Sequence, residues 1–582
     1  MSNKEVAEIL DEIGILLELK GENPFKCRAY HNAARVIGSL TKDINDLVRS
    51  DELEGIKGIG KGLAEKIHEL LETGELGYRK ELKKTLPDGL FDMLRIQGLG
   101  PKKVKVLYER LKIQSIDQLE KAAGAHKLKN LDGFGIKTEE NILKGIQNLR
   151  KHIDKHLYPE AQMAAEQILE AIKRHKGVLR CEIAGSLRRR KEIIGDIDIL
   201  ASARRKDAVQ IMELFTSHPD VASVVARGET KSSVILRSAI NCDLRVVEVK
   251  EFPFALAYFT GSKEHNIEMR SLAKNFGWSL NEYGFSQAGN SAHRPRGKRL
   301  PLCKEESDIF KALSLQFIPP ELRENTGEIE AAQKDRLPDL VQDNDIRGTF
   351  HCHTNYSDGL NTLEQMVKAA QDLGWEYLGI ADHSKAAAYA GGLTEEKVKQ
   401  QITEIDILNR RLKNFTVFKG TEADIMTDGS LDWSEKILSG FDYVVASIHS
   451  KFSMTEAEAT KRIIKALKNK YVTMLGHPTG RLLLDRDGYP VNMIDVINAA
   501  SDYGKMIEIN AHPQRLDLDW RWCKYAAEKS VLIAINPDAH AIAGLKDVHY
   551  GIGTARKGWL QKKDIFNTWK RDKIAHYLSN QH

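Results

Sequence analysis

The chain predicts a multidomain protein with an α-helical N-terminal region, an α+β middle and a C-terminal barrel of alternating strands and helices. Three observations carry that prediction. A Gly-hydrophobic-Gly turn between helical stretches recurs three times before Lys151. Acidic residues then punctuate alternating apolar segments at Asp196, Asp198 and Asp243. From about Ile346, seven short apolar runs alternate with helical stretches, and six of them end in, or lead within two residues to, His, Asp or Glu.

With 582 residues the chain is too long for one core, and ordinary domain sizes give roughly three to five. Hydrophobic content of 42% and charged content of 29% describe soluble globular domains. No apolar run approaches the ~18 residues a membrane helix needs, and Met1-Ser2-Asn3-Lys4-Glu5 lacks the apolar core of a signal peptide. Six cysteines are scattered with no C-x-x-C pair, so free thiols in a reducing cytoplasm are expected. The net charge of +5 says less than its local form, the basic clusters Leu187 to Lys191 and Pro101 to Lys105.

The three turns come first. Each is an apolar helix end, a Gly-hydrophobic-Gly turn (Gly58 and Gly60, Gly98 and Gly100, Gly133 and Gly135), and a new helix. Glycine permits close backbone approach, and the N–H groups opening the next helix favour an anion such as phosphate. One copy alone could be an ordinary helical hairpin. Three copies, with Lys102 beside the second, predict binding to the DNA backbone without sequence reading, and the pattern resembles the helix-hairpin-helix motif.

In the middle segment, Cys181 to Ala184 reads as a strand, Gly185-Ser186 as the turn after it, and Ile194 to Ala201 as the next strand. Residues two apart on a strand share a face, so Asp196 and Asp198 can converge, and the strand Asn241 to Val247 can bring Asp243 alongside. Three such acids suit two divalent ions, one lowering the pKa of an attacking hydroxyl and one steadying a leaving phosphate. Ser186 and Arg189 are placed to hold a triphosphate. An isolated Asp-x-Asp is more often a solvated strand edge; the Gly-Ser upstream and the third acid downstream favour nucleotidyl transfer.

Tyr258-Phe259-Thr260-Gly261-Ser262, then Asn266, Arg270, Asn281-Glu282-Tyr283-Gly284 and Ile318 to Glu324, together with that acid pattern, resemble the family X DNA polymerases over roughly the first 320 residues. The resemblance implies a small N-terminal helical DNA-binding domain (1–85) carrying the first hairpin, fingers (86–150) with two further hairpins, a nucleotidyltransferase palm (151–252) and a thumb (253–323). It implies that Asp196, Asp198 and Asp243 are catalytic metal-binding acids, with Asp243 taking the primer 3′-hydroxyl proton. Ser186, Arg189 and Gly261 would serve the nucleotide, Tyr258 and Phe259 would pack on the sugar, and Asn266 and Arg270 would touch the nascent base pair. Lys66 matches the family position for a deoxyribose-phosphate lyase; a phosphate contact is the plainer reading.

Residues 324–345 are polar and read as a linker to the last domain, 346–582. Convergence of His351, His353, His383, Glu422, His449, His477, Asp538 and His540 near strand ends predicts a metal centre, since barrels of this kind carry their chemistry there. With Asp358, these residues resemble the nine ligands of the PHP domain, which implies a (β/α)7-like barrel. On the family pattern Glu422 bridges two ions, with His351, His353 and Asp538 on one side and His449 and His477 on the other, while Asp358, His383 and His540 take a third. Asp382, His512 and His549 read as supporting or surface groups.

The expectation is thus a monomeric repair polymerase that binds gapped or primed DNA and deoxynucleoside triphosphates, uses Mg2+ or Mn2+ at its acids, and carries a PHP-domain 3′–5′ exonuclease. Imidazole with carboxylate suits up to three ions of Mn2+, Zn2+ or Fe2+ there. Abasic-site cleavage is a further expectation. The rivals are a template-independent transferase fused to a small-molecule phosphomonoesterase, and a non-catalytic DNA-end scaffold.

Overall fold

A computed structural model describes residues 1–580 apart from positions 2, 39, 41, 51, 57, 97 and 288–299. The chain divides into two compact units, Met1–Ile153 and Asp154–His582. No helix among the described residues is long and apolar enough to cross a membrane.

The first unit is helical. In the opening helix Asn3–Lys20, Val6, Leu10, Ile13 and Leu17 repeat at helical spacing and are fully buried. They join one core with Ala33 and Ile37 of the helix Pro24–Gly38 and with residues of all three hairpins. In each hairpin the first glycine is left-handed (Gly58 φ 102°, Gly98 φ 81°, Gly133 φ 80°). The second glycine is the N-cap of the following helix, Lys61–Thr73, Pro101–Leu111 or Ile136–Lys151. Between them Ile59, Leu99 and Phe134 turn into the core. Lys57 and Gln97, within the first two turns, lie outside the described residues.

The second unit opens with the helix Tyr158–Lys173, which packs on a five-stranded sheet. Its strands are β1 (Val178–Ile183), β2 (Asp196–Ala203), β3 (Val221–Arg227), β4 (Lys231–Leu236) and β5 (Asn241–Val247), in the order β1-β2-β5-β4-β3. β2 and β5 are parallel and the other pairs antiparallel. Helices Phe252–Thr260 and Lys263–Asn275 follow, then a small hairpin and the helix Glu306–Ala312.

The segment read as a linker is folded. It holds the helix Glu328–Gln333, and Glu328 is fully buried against His265 at 2.8 Å and the N–H groups of Asn325 and Thr326. Val341 donates its N–H to the Leu560 carbonyl. A polar composition signals a solvated segment only when the charges lack partners, and Glu324, Glu328, Asp343 and Asp345 have them.

Seven parallel strands complete the unit: β6 (Gly348–Thr349), β7 (Tyr377–Ile380), β8 (Thr416–Asp424), β9 (Tyr443–Ser447), β10 (Met474–Leu475), β11 (Met506–Asn510) and β12 (Ile533–Asn536), neighbours in chain order. The ring is nearly closed: His353 N–H donates to the Ala539 carbonyl at 2.8 Å, and Ala539 N–H to that of His351 at 3.3 Å. Phe350, Tyr377, Phe418, Tyr443, Met474 and Met506 pack together inside. A Cβ on Gly420 would lie 2.2 Å from the Tyr443 ring, so glycine there makes room for it. All six cysteines are free and buried.

Candidate active sites

The acidic centre is built by register. Asp198 on β2 stands opposite Asp243 on β5, while Ile197 and Ile199 point into the core. Asp196, two residues earlier on the same face, is exposed. Gly185 has φ 64°, and a Cβ on it would come 2.4 Å from Asp198 Oδ2. Glycine therefore lets the short helical turn Gly185–Arg188, which carries Ser186, close against the carboxylate. Burial, then the charges of Asp196 and Asp243, lift Asp198 to about 6. Lys231 of β4 lies 2.7 Å from Asp243. A cluster of like charges held by the fold is suited to cations.

Around it, Tyr258 and Phe259 meet edge to face at 5.2 Å. Asn266 Nδ2 donates to the Tyr258 carbonyl at 2.7 Å, and the exposed Arg270 donates through Nε to the Asn266 carbonyl at 3.2 Å. Tyr258, Asn266 and Arg270 line one cleft. Arg189 is less free than its sequence reading suggests. Its Nε donates to Glu324 at 2.9 Å and its Nη1 to the Thr260 carbonyl at 2.5 Å, with the side chain 10% exposed. A Cβ on Gly261 would come 3.1 Å from that Nη1.

The imidazole centre converges on Glu422. Its carboxylate lies 2.9 Å from His383, 3.0 Å from His477, 3.1 Å from His449, 3.4 Å from His351 and 3.8 Å from His353. Asp538 stands 3.1 Å from His353 and 3.6 Å from His351. Asp358 stands 3.4 Å from His540, 3.6 Å from His383 and 3.8 Å from His353. Three overlapping groups bring their ligand atoms within 4.8 Å of one another: His353-Asp358-His383-His540, His351-His353-Asp538 and His383-Glu422-His449. The last pairs His383 with Glu422 and His449, where the sequence grouping had His477.

Charge is divided unevenly there. Burial opposes ionisation of Glu422, yet His449, His351 and His383 hold it well below the ordinary carboxylate range. Burial, then His540 and His383, push His353 down to about 3 and keep it neutral. Nε2 of His351 and Nδ1 of His353 are buried without a hydrogen-bond partner among the described residues, and Nδ1 of His383 and Oε2 of Glu422 lie 2.9 Å apart without hydrogen-bond geometry. Buried polar atoms are ordinarily satisfied. So many orphans on imidazoles and carboxylates facing one another fit divalent metal.

Comparison with known proteins agrees region by region. The helix-hairpin-helix domain model matches residues 1–76, the SAM-like helix-hairpin-helix tandem 91–148, the DNA polymerase beta thumb 255–324 and the PHP domain 349–512. The DNA polymerase/3′-5′ exonuclease PolX of Bacillus subtilis (strain 168) is 37% identical over 582 residues, covering 99% of both chains. The chain belongs to the family X DNA polymerases that carry a PHP domain. DNA polymerase lambda of Rattus norvegicus is 26% identical over 345 residues, 55% of this chain and 56% of its own. A probable phosphatase of Thermoanaerobacter sp. (strain X514) is 28% identical over 242 residues, 40% of this chain and 94% of its own.

This family X polymerase holds its PHP imidazoles from behind with groups that the sequence reading missed. Glu508 is fully buried; it faces His351 Nδ1 at 2.7 Å and accepts from the backbone N–H of His477 at 2.8 Å. Asp424 faces His449 Nδ1 at 2.5 Å. Both fix which ring nitrogen turns to the centre. The signals were present: Asp424 is two residues beyond Glu422 on one strand, and Glu508 is a lone acid inside Met506 to Ile509, the one apolar run that ended in no ligand. Asp382, read as a supporting group, accepts from Thr354, Ser357 and Gln401. Arg515 stands 3.5 Å from Asp538 at the edge of the centre.

In the helical unit, Gly60, Gly100 and Gly135 cap their helices without a side-chain bond, and a Cβ on Gly98, Gly100, Gly133 or Gly135 would meet nothing within 4 Å. These turns are open to a ligand backbone, with Lys102 exposed beside the second. Lys66 directs its ammonium to the Gly62 carbonyl at 3.2 Å and over the Tyr78 ring at 5.4 Å.

Proposed function

We propose that the chain is a DNA-directed DNA polymerase that fills short gaps in DNA repair and a 3′–5′ exonuclease that trims 3′ ends. One observation carries this reading: two chemically opposite constellations of potential metal ligands, three carboxylates on adjoining strands and eight imidazole or carboxylate groups about Glu422, occur within one family X chain. Asp196, Asp198 and Asp243 hold Mg2+ or Mn2+. The nine PHP residues, His351 to His540, hold up to three ions of Mn2+, Zn2+ or Fe2+. When bound, such ions lower the pKa of a nucleophilic hydroxyl or water and offset phosphate charge.

The residues do the rest. Asp243 is positioned to accept the proton of the primer 3′-hydroxyl, with the Lys231 ammonium 2.7 Å from its carboxylate. Ser186 and Arg189 bind the triphosphate, Tyr258 and Phe259 bracket the sugar, and Asn266 and Arg270 contact the base pair. At the PHP centre neutral His353 stays a ligand rather than an acid, and Arg515 orients the scissile phosphate. The hairpins bind the backbone of gapped DNA without reading sequence. The enzyme acts as a monomer. Lys66 is the lyase candidate, tested by borohydride trapping on an incised abasic substrate, and abasic-site cleavage is a second end-processing activity.

Extension of a 5′-labelled primer in a one-nucleotide gap tests the main reading. Only the templated nucleotide should be added, and without triphosphates the same primer should shorten stepwise from its 3′ end. Template-independent addition, with faster hydrolysis of a free phosphate monoester than of a DNA 3′ end, would instead favour a transferase fused to a phosphatase.

A further inference from the structure

The barrel sends one helix, Val548–Lys557, against the palm, and its last residue reaches the polymerase side of the molecule. Lys557 is 1% exposed. Its Nζ donates to Glu324 at 2.5 Å and to the carbonyl of Arg189 at 3.1 Å, while Glu324 also accepts from Arg189 Nε at 2.9 Å. Glu324 thus sits among three cations, Arg189 and, more distantly at 3.9 Å, Lys191 from the palm, and Lys557 from the barrel. The neighbouring residues are held in the same way. The Arg190 side chain lies on Gly553, where a Cβ would come 3.1 Å from its Cδ. Arg190 and Arg556 both reach Glu321, at 3.7 and 2.8 Å, and Arg521 of the barrel reaches Glu192 at 3.3 Å.

The arrangement bears on one side chain of the nucleotide site. The Arg189 guanidinium has Nε taken by Glu324 and Nη1 taken by the Thr260 carbonyl. Among the described residues its Nη2 makes no hydrogen bond, and this edge remains for an anion. A planar guanidinium is fixed in orientation once two of its edges are held. The carboxylate that fixes it is itself held by Lys557, which faces the Trp520 ring at 5.0 Å. Burying an ammonium is unfavourable unless it is paired. Desolvation draws Lys557 down to about 8 while Glu324 pulls the other way.

We infer that Lys557, a side chain of the PHP barrel, is a positioning residue for nucleotidyl transfer: it holds Glu324, and through Glu324 the guanidinium of Arg189, in the orientation that meets the triphosphate. This rests on the reading of Arg189 as a triphosphate ligand. The polymerase site is then incomplete without the barrel, although no barrel residue touches the nucleotide.

Single-nucleotide gap filling by the full chain, titrated with triphosphate, tests it. Lys557→Met should raise KM for the nucleotide roughly tenfold and change kcat by less than about threefold, the pattern of lost binding rather than lost chemistry. 3′–5′ hydrolysis in the same preparation should stay within about twofold of the parent. Lys557→Arg should recover most of the KM. Glu324→Gln should raise KM similarly, and adding Lys557→Met to it should change little further, because both act through one guanidinium. An unchanged KM in folded Lys557→Met, or an equal fall in both activities, would overturn the inference. If Lys557→Met fails to fold, Lys557→Gln, which keeps a polar tip but not the charge, carries the same readout. Arg189→Ala separates the two levels. Should it leave KM unchanged, the reading of Arg189 fails; should it raise KM while Lys557→Met does not, only the role of Lys557 fails.

Discussion

The two centres differ most in how they manage charge before any ligand arrives. The acidic centre gathers three carboxylates on two adjoining strands, leaves Asp196 exposed, and lifts Asp198 to about 6 through burial and like charge. It is balanced only in part, by Lys231 on Asp243. The imidazole centre draws nine residues from the ends of barrel strands and the loops beside them, buries most of them, and sets Glu422 among five histidines. An open, only partly compensated cluster suits cations that arrive with a triphosphate. An enclosed cluster whose outer nitrogens are held by Glu508 and Asp424 suits ions that stay. One chain thus pairs an open acidic cluster with an enclosed imidazole one.

Changes at single residues sharpen that contrast. Glu422→Gln removes the carboxylate that faces five imidazoles and should lower 3′–5′ hydrolysis on the order of a thousandfold, with gap filling within about twofold; parallel rate measurements on one preparation check it. A buried ionic cluster belonging to neither centre supplies the control. Glu306 accepts from Arg188 at 2.9 Å and from Arg323 at 2.6 Å, and Arg323 is fully buried over the Phe310 and Phe317 rings. Burial works against ionisation there, but Arg323 and Arg188 bring Glu306 to about 2.

A carboxylate lowered from 4.5 to about 2 contributes stability that is full above its unfolded value and is lost as pH falls through the folded one. Glu306→Gln should therefore cost about 3 kcal/mol near neutrality. The gap to the parent should narrow once the pH drops below about 4.5, as denaturant unfolding at several pH values would read. Both activities should lose thermal tolerance together, unlike the one-sided loss at Glu422.

Glu508→Gln should act less strongly, lowering metal retention or hydrolysis by about 10- to 100-fold, because His351 keeps its place but loses the charge behind it. Metal analysis after desalting gives the smallest and most direct contrast. Ions should remain on the parent and on an Asp196→Ala/Asp198→Ala protein alike, and be depleted in His351→Ala.

Much of this was legible in the sequence, for identifiable reasons. Period-two alternation placed Asp196, Asp198 and Asp243, and seven apolar runs placed all seven barrel strands, because strand register and strand ends are local properties. Three Gly-hydrophobic-Gly turns became three capped hairpins. What could not be read is pairing across long separations. Glu324 and Glu328 looked like solvated linker charges because their partners, Lys557 and His265, lie far off in the chain. Arg189 looked free for the same reason. Glu508 announced itself only as an acid in an apolar strand, and its partner His351 is remote in sequence.

The central claim is that two independent centres share one chain, and reciprocal variants on a one-nucleotide gap test it most directly, with extension and degradation scored from the same labelled primer. Asp196→Ala/Asp198→Ala should abolish extension and leave shortening intact, and His351→Ala should do the reverse. Loss of both activities in either variant, with folding verified, would contradict the account.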